Sequence, residues 1–226
     1  MAADTPSMKR GMEGRFGMIA LTPVMESLSK KRPVFHSEAD FQHALAWEIH
    51  SLREDARVYV EKPCPLEQKH AHVDIVAEWG ERRIACEVKY YTKRLGSPYD
   101  DFRLKDQGAQ DCGRYDFLWD LFRMERIVAS AQAAVGCVVL LTNDSLYWHT
   151  PRPRRTATMD AALRIHEGAT VRGTLFWGDK ASPGSMRGRD EKIPLGGAYA
   201  CRWEDYSRVG DKPGDEFKYL LLAVGK

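Results

Sequence analysis

Residues 72–91 read HVDIVAEWGERRIACEVKYY, and this stretch decides the fold. Its first half alternates. Val73, Ile75 and Ala77 fall on one side of an extended chain, and His72, Asp74, Val76 and Glu78 fall on the other. Gly80-Glu81 turns the chain, and a second strand returns over residues 83–91. Ile84, Cys86 and Val88 form its apolar side, while Glu87 and Lys89 share the opposite face, because strand side chains alternate with period two. So short a turn makes the two strands antiparallel neighbours. Given a suitable register, Asp74 faces Glu87 and Lys89 across the hairpin. Three charged groups would then meet among apolar neighbours, an arrangement that is costly unless each charge is compensated.

Outward from the hairpin, the pattern changes to helical. Ser37 caps a helix running to about Glu54, with Asp40 in the capping-box position. Phe41, Leu45 and Leu52 define one face, flanked by Ala44 and Ile49, and Glu48 falls inside that stripe. A short strand, Arg57–Glu61, links this helix to the hairpin. Downstream, residues 104–133 read as one long helix or a helix pair, weakened at Gly108 and Gly113. Gly136–Thr142 is a strand of the buried type, and Asn143-Asp144 turns into a short strand at Leu146–Trp148. The expected fold class is α/β, with a central mixed β-sheet flanked by helices.

Residues 1–34 are expected to be an N-terminal arm, with at most a short helix near Pro23–Leu28. Residues 35–149 form the core, and residues 150–226 an α+β C-terminal extension packed on it. That extension begins with a basic linker, Pro151–Arg155. It continues with a helix from Thr158 to His166 and strands at Val171–Trp177 and Tyr199–Trp203 around a Gly- and Pro-rich loop, Gly178–Gly197. It ends in a buried strand, Phe217–Val224.

The composition agrees with a folded chain of this kind. A hydrophobic content of 43% with 6 Trp, 9 Tyr and 8 Phe among 226 residues supplies a core and excludes disorder as the main state. The formal charge of +2 predicts no partner by itself. Its distribution is more informative: residues 150–202 hold ten Lys/Arg against five Asp/Glu, which suits either a polyanion or a solvated surface. The five cysteines are scattered, with no CxxC pair, so a zinc ribbon is not expected and a reducing, cytoplasmic setting is. The start of the sequence has no apolar stretch of signal-peptide type, and no apolar run approaches the length of a membrane span.

An E-x-K triplet carries little weight alone, because Glu67-Gln-Lys69 and Glu216-Phe-Lys218 repeat it. Only Glu87-Val-Lys89 lies inside an apolar strand that directly follows a strand bearing an acid. Carboxylates are hard oxygen ligands suited to Mg²⁺ or Mn²⁺. Such an ion polarises a phosphodiester and lowers the pKa of a bound water, and a nearby Lys orients that water or offsets charge on the phosphate.

The arrangement resembles the PD-(D/E)XK nuclease superfamily, with its restriction-endonuclease-like core. The matching pieces are His72-Val-Asp74-Ile-Val and Ile84-Ala-Cys-Glu87-Val-Lys89-Tyr, and the resemblance extends from about Phe35 to Trp148. Val73 stands where the family often has Pro. The resemblance implies that Asp74 and Glu87 bind the divalent metal, that the Val88 carbonyl is a further ligand, and that Lys89 assists the attacking water. The family often adds an acid from the first helix. Glu48 matches that position and Glu38 is the fallback; the alternative for Glu48 is a pair with Arg53 or with a lysine lying over it. Some members carry Gln on the helix after the E-x-K strand, often as Q-x-x-x-Y. Gln107 fits in part, since Asp111 follows it at that spacing, and a partly exposed helix end is the alternative.

From position and charge, Lys93 and Arg94 after the strand, and Arg152, Arg154, Arg155, Arg187 and Arg189 in the tail, are candidate contacts to a nucleic-acid backbone. Trp119, Trp177 and Trp203 read as core rather than as base-stacking platforms. The expected function is a Mg²⁺- or Mn²⁺-dependent nuclease acting on DNA, an endonuclease of restriction or DNA-processing type, with a homodimer implied by resemblance alone. The alternatives are a catalytically inactive nucleic-acid-binding or protein-interaction module on the same fold, or a purely structural ion-pair network.

Overall fold

A computed structural model describes residues 21–64, 72–152 and 156–225. Its centre is β4 (Val135–Thr142), the apolar run VGCVVLLT, in which all eight residues are buried. A strand covered on both faces carries no alternation, and β4 has none. It pairs in parallel with β3 (Arg82–Tyr91) on one side and antiparallel with β8 (Glu216–Gly225) on the other. On the β3 side follow β2 (His72–Trp79) and β1 (Arg57–Pro63) as an antiparallel meander. On the β8 side lies β7 (Trp203–Arg208). The six-stranded sheet therefore runs β1-β2-β3-β4-β8-β7 and is mixed, as expected. The β2–β3 turn is tight: Trp79 pairs with Arg82, and Gly80 adopts a left-handed φ of 54°, which costs glycine little.

Two helices cover one face. α1 (Leu21–Lys31) buries Leu21, Val24, Met25 and Leu28, an i, i+3, i+4, i+7 stripe. α2 (Glu38–Leu52) starts as expected, with the Ser37 hydroxyl accepting from the Asp40 N–H at 3.2 Å. α1 packs on α2 and β7, and α2 packs with β3, whose Ile84, Cys86, Val88 and Tyr90 belong to the same core. α3 (Gln110–Ala129) covers the other face, packing with Ala85 and β4 and with a two-stranded sheet of β5 (Thr170–Leu175) and β6 (Ile193–Ala200). The unit β3–α3–β4 is thus a parallel crossover, which opens a crevice beyond the carboxyl ends of its strands. No helix among the described residues is long and apolar enough to cross a membrane.

Several expectations need correction. Residues 21–31 are not part of a loose arm: α1 is packed into the core on α2. The tail is not an appendage to a finished sheet. β8 closes the open side of β4, and without it that strand's polar edge would be unpaired. α3 begins at Gln110 rather than near Leu104, where Thr92, just past β3, ties down the preceding segment outside a helix. The Gln107 N–H donates to the Thr92 carbonyl (2.8 Å), and the Thr92 N–H donates to Gln107 Oε1 (2.6 Å). Residues 146–148 are turns rather than a strand, and only Ala161–Leu163 of the expected 158–166 helix is helical, as a single 3₁₀ turn. The expected strand at 199–203 is divided between β6 and β7, and the expected 178–197 loop holds a one-turn helix, α4 (Pro183–Met186), and the start of β6.

Candidate active site

The β2–β3 ladder runs from Trp79↔Arg82 to Ile75↔Cys86 and ends there. One residue further on, a side chain takes over from the ladder: Asp74 Oδ2 accepts the Val88 backbone N–H at 2.7 Å. That bond fixes the Asp74 carboxylate beside the strand that carries Glu87 and Lys89. Gln42 of α2 holds β2 from the other side, donating to the Asp74 carbonyl at 2.8 Å.

Glu87 and Lys89 project towards α3. Glu87 is only 2% exposed, and its Oε1 accepts from Arg123 Nη1 at 2.8 Å. The same guanidinium donates through Nη2 to the His72 carbonyl (2.8 Å) and lies 3.4 Å from Asp120 Oδ1. Lys89 Nζ is 2.8 Å from Asp120 Oδ2. Asp120 and Arg123 are therefore the partners of the E-x-K pair.

Glu38 enters from the first turn of α2. Its Oε2 accepts the Tyr90 N–H at 2.9 Å, so the carboxylate turns inward although the residue as a whole is exposed. There it feels the charges of Lys89, Asp74 and Asp120. Among the described residues, four carboxylates, Asp74, Glu87, Asp120 and Glu38, thus share one locale with two cations, Lys89 and Arg123.

The electrostatics follow from that imbalance. Burial pushes the Glu87 carboxyl well above the usual range; repulsion from Asp120 and Asp74 adds to this, and Arg123 opposes it. Burial also raises the Asp120 carboxyl, against the pull of Lys89 and Arg123. Burial alone would lower the Lys89 ammonium, but Asp120, Glu38 and Glu87 reverse the effect and hold it above the ordinary lysine value. Lys89 is therefore a fixed positive charge at neutral pH.

A cleft of about 590 Å³ opens beside this cluster, lined by Glu38, Lys89, Thr92, Gln107, Trp119 and Asp120 among others. It lies at the carboxyl end of β3, where the parallel crossover leaves a crevice.

Glu48 lies elsewhere. It is 2% exposed, between α1 and α2, where Lys31 Nζ approaches both its oxygens at 2.7 Å and Ser27 Oγ donates at 2.6 Å. The lysine alternative describes its surroundings, with Lys31 as the lysine. These partners hold its carboxyl below the usual range against the effect of burial. A folded-state pKa below the unfolded value near 4.5 gives stability that is present above that value and lost as pH falls through the folded pKa. Glu48→Gln is therefore expected to cost about 1.5–3 kcal/mol at neutral pH. The gap to wild type should close in acid, as read by urea unfolding across pH; a gap independent of pH would contradict this account.

Gln107 lines the cleft, but from the extended segment before α3 rather than from the helix. Val88 turns its side chain into the α1–α2 core and gives its N–H to Asp74. Lys93 pairs with Asp106 at 2.9 Å, and Arg94 is exposed next to it. Arg152 and Arg187 are exposed. Arg189 makes a bidentate pair with Asp116 (2.6 and 2.7 Å) and so neutralises an acid of the cleft wall. Arg154 and Arg155 lie outside the described residues.

Asp120 and Arg123 escaped the sequence reading, although Asp120 carried a usable signal. It falls among Phe117, Leu118, Leu121 and Met124, an acid within a buried helical stripe, as Glu48 is. Among the described residues, no three His, Cys, Asp or Glu side chains are gathered into a group able to enclose a metal ion. No protein-family model, curated protein or solved structure matches the chain.

Proposed function

We propose that the chain is a divalent-metal-dependent nuclease with a restriction-endonuclease-like core, hydrolysing phosphodiester bonds in DNA as an endonuclease. The observation that carries this reading is the meeting of Asp74, Glu87 and Lys89 where β2 and β3 part, beside an open cleft. The donor set fits Mg²⁺ or Mn²⁺. Its atoms are hard carboxylate oxygens, and among the described residues its four acids outnumber the two cations, Lys89 and Arg123. Mg²⁺ commonly takes only one or two protein carboxylates and completes its shell with water and phosphate, so an enclosing cage of three acids is not required. Asp74 and Glu87 would hold the ion, with the Val88 carbonyl and Glu38 at hand. Once bound, the ion would polarise the phosphodiester and acidify a water.

The side chains supply the remainder. Lys89 stays protonated, so it serves as a donor and a positive charge rather than as a base. It steadies the attacking water and offsets charge building on the phosphate oxygens. Asp120 holds the ammonium in place. Water oxygen adds to phosphorus and gives up a proton to solvent, and the bond from phosphorus to the leaving oxygen breaks in line, that oxygen taking up a proton from solvent. Exposed Arg152 and Arg187 are suited to the DNA backbone, where such contacts position without reading sequence.

Purified protein should cut plasmid or single-stranded DNA with Mg²⁺ or Mn²⁺ and not with EDTA; absence of cutting of both substrates under both metals would refute the reading. One observation favours the rival, a structural ion-pair cluster in a non-catalytic module: Arg123 already closes on Glu87. Metal binding separates the two readings, because only the nuclease needs it.

A further inference from the structure

Trp119 differs from the other tryptophans with which the sequence groups it. Trp177 and Trp203 are buried, whereas Trp119 is half-buried and lines the cleft one residue before Asp120. Its ring is the outermost of a parallel stack. Tyr115 lies 6.2 Å away at 8°, and Trp177 lies 5.8 Å beyond Tyr115, again at 8°. Phe122 supports the Trp119 ring at 61°, 5.5 Å away. Two hydrogen bonds lock the stack from behind: the Tyr115 hydroxyl donates to the Glu191 carbonyl and Trp177 Nε1 donates to the Arg189 carbonyl, each at 2.8 Å. The result is a flat aromatic face, fixed before any ligand arrives, in the wall of the candidate active site.

We propose that this cleft takes an unpaired nucleic-acid strand, with one base stacked on Trp119. The inference rests on the nuclease reading for the class of its ligand and deepens it. A volume of about 590 Å³ is that of a small-ligand site, which commonly spans about 300–1,000 Å³, and so suits individual nucleotides. Only an unpaired, unstacked base can offer its face to a protein ring, since neighbours cover both faces within a duplex. Phosphate chemistry is also provided: Lys89 and Lys105 line the same cleft. Of the wall's three acids among the described residues, Asp116 is neutralised by Arg189, Asp120 is paired with Lys89, and Glu38 accepts the Tyr90 N–H. A second flat surface enters from the α2 side, where His36 lies on Phe102 at 4.1 Å and 11°.

The test is equilibrium binding in EDTA at fixed salt, so that it does not depend on cleavage. The probes are short labelled oligothymidylate, oligouridylate and a DNA duplex of equal length. Either single strand should bind at least about tenfold tighter than the duplex, and Trp119→Ala should weaken single-strand binding about tenfold, the lower part of the range for loss of one stacked base. Trp119→Phe should keep most of the affinity, and Trp119→Leu, which fills the space without a flat face, should lose it even if Trp119→Ala fails to fold. Duplex binding as tight as that of both single strands, or a Trp119→Leu protein that binds like wild type, would overturn the proposal. The nuclease reading fails by a different result, the absence of metal-dependent cutting.

Discussion

Lys89→Ala is expected to lower metal-dependent DNA cleavage by at least about a hundredfold, the usual order for removing one preorganised charge from a transition state. The ammonium is half-enclosed at the cleft wall and is held by Asp120 at 2.8 Å. Among the described residues of the cluster the other cation, Arg123, is engaged by Glu87 and the His72 carbonyl and cannot replace it. Loss of Lys89 also leaves the Asp120 carboxylate nearly buried, with Arg123, at 3.4 Å, as the compensating cation among the described residues. Burial already raises the Asp120 carboxyl, so a proton can take the place of the lost cation and spare the fold. Initial rates on supercoiled plasmid, with circular dichroism to confirm folding, provide the measurement. Lys89→Arg should not rescue activity, because the planar guanidinium does not reproduce a point charge at that place. A folded Lys89→Ala protein that cuts like wild type would contradict the role assigned to Lys89.

Arg123→Ala is expected to be the most destabilising change at the site, by about 3–5 kcal/mol at neutral pH, the order seen when one partner of a buried pair is removed. Arg123 is 12% exposed and neutralises a Glu87 carboxylate that faces Asp74 and Asp120. The loss should depend on pH in a definite direction. The Glu87 carboxyl is raised in the folded protein, so its contribution is most favourable below its unfolded value near 4.5 and is lost as pH rises through the folded pKa. Removing the cation paired with it pushes the folded pKa higher still. The deficit of Arg123→Ala should therefore be small in acid and grow towards neutral pH. Urea unfolding at several pH values tests this. A neutral-pH loss below about 1 kcal/mol would mean that Arg123 is not the compensating charge.

What the sequence disclosed and what it hid divide along lines of range. The hairpin 72–91 was readable because alternation, the Gly80 turn and the charged face of Glu87 and Lys89 are local, and β4 declared its burial by an unbroken apolar run. The pairing of β8 with β4 joins residues some eighty positions apart in the chain, and no local period reports it. The acid on the first helix shows the same limit. Helical spacing identified Glu48 as buried, and it is. Its partner depended on α1, whose Lys31 and Ser27 reach it only once that helix packs. Glu38 stands in the sequence only as the fallback for that acid, and only the fold shows that its carboxylate turns inward to the Tyr90 N–H. The helical pattern of residues 104–133 puts Gln107 on a helix, yet its pairing with Thr92 keeps it outside one.

The central claim is that Asp74 and Glu87 form a site for a divalent ion, and calorimetric titration of Mn²⁺ tests it without any assumption about substrate. Asp74→Asn is the informative variant, because its side-chain oxygen can still accept the Val88 N–H, so that the charge is removed with little disturbance of the strands. The account predicts saturable one-site binding to the wild type and its loss in Asp74→Asn. Equal binding by both proteins, or none by the wild type, would contradict it.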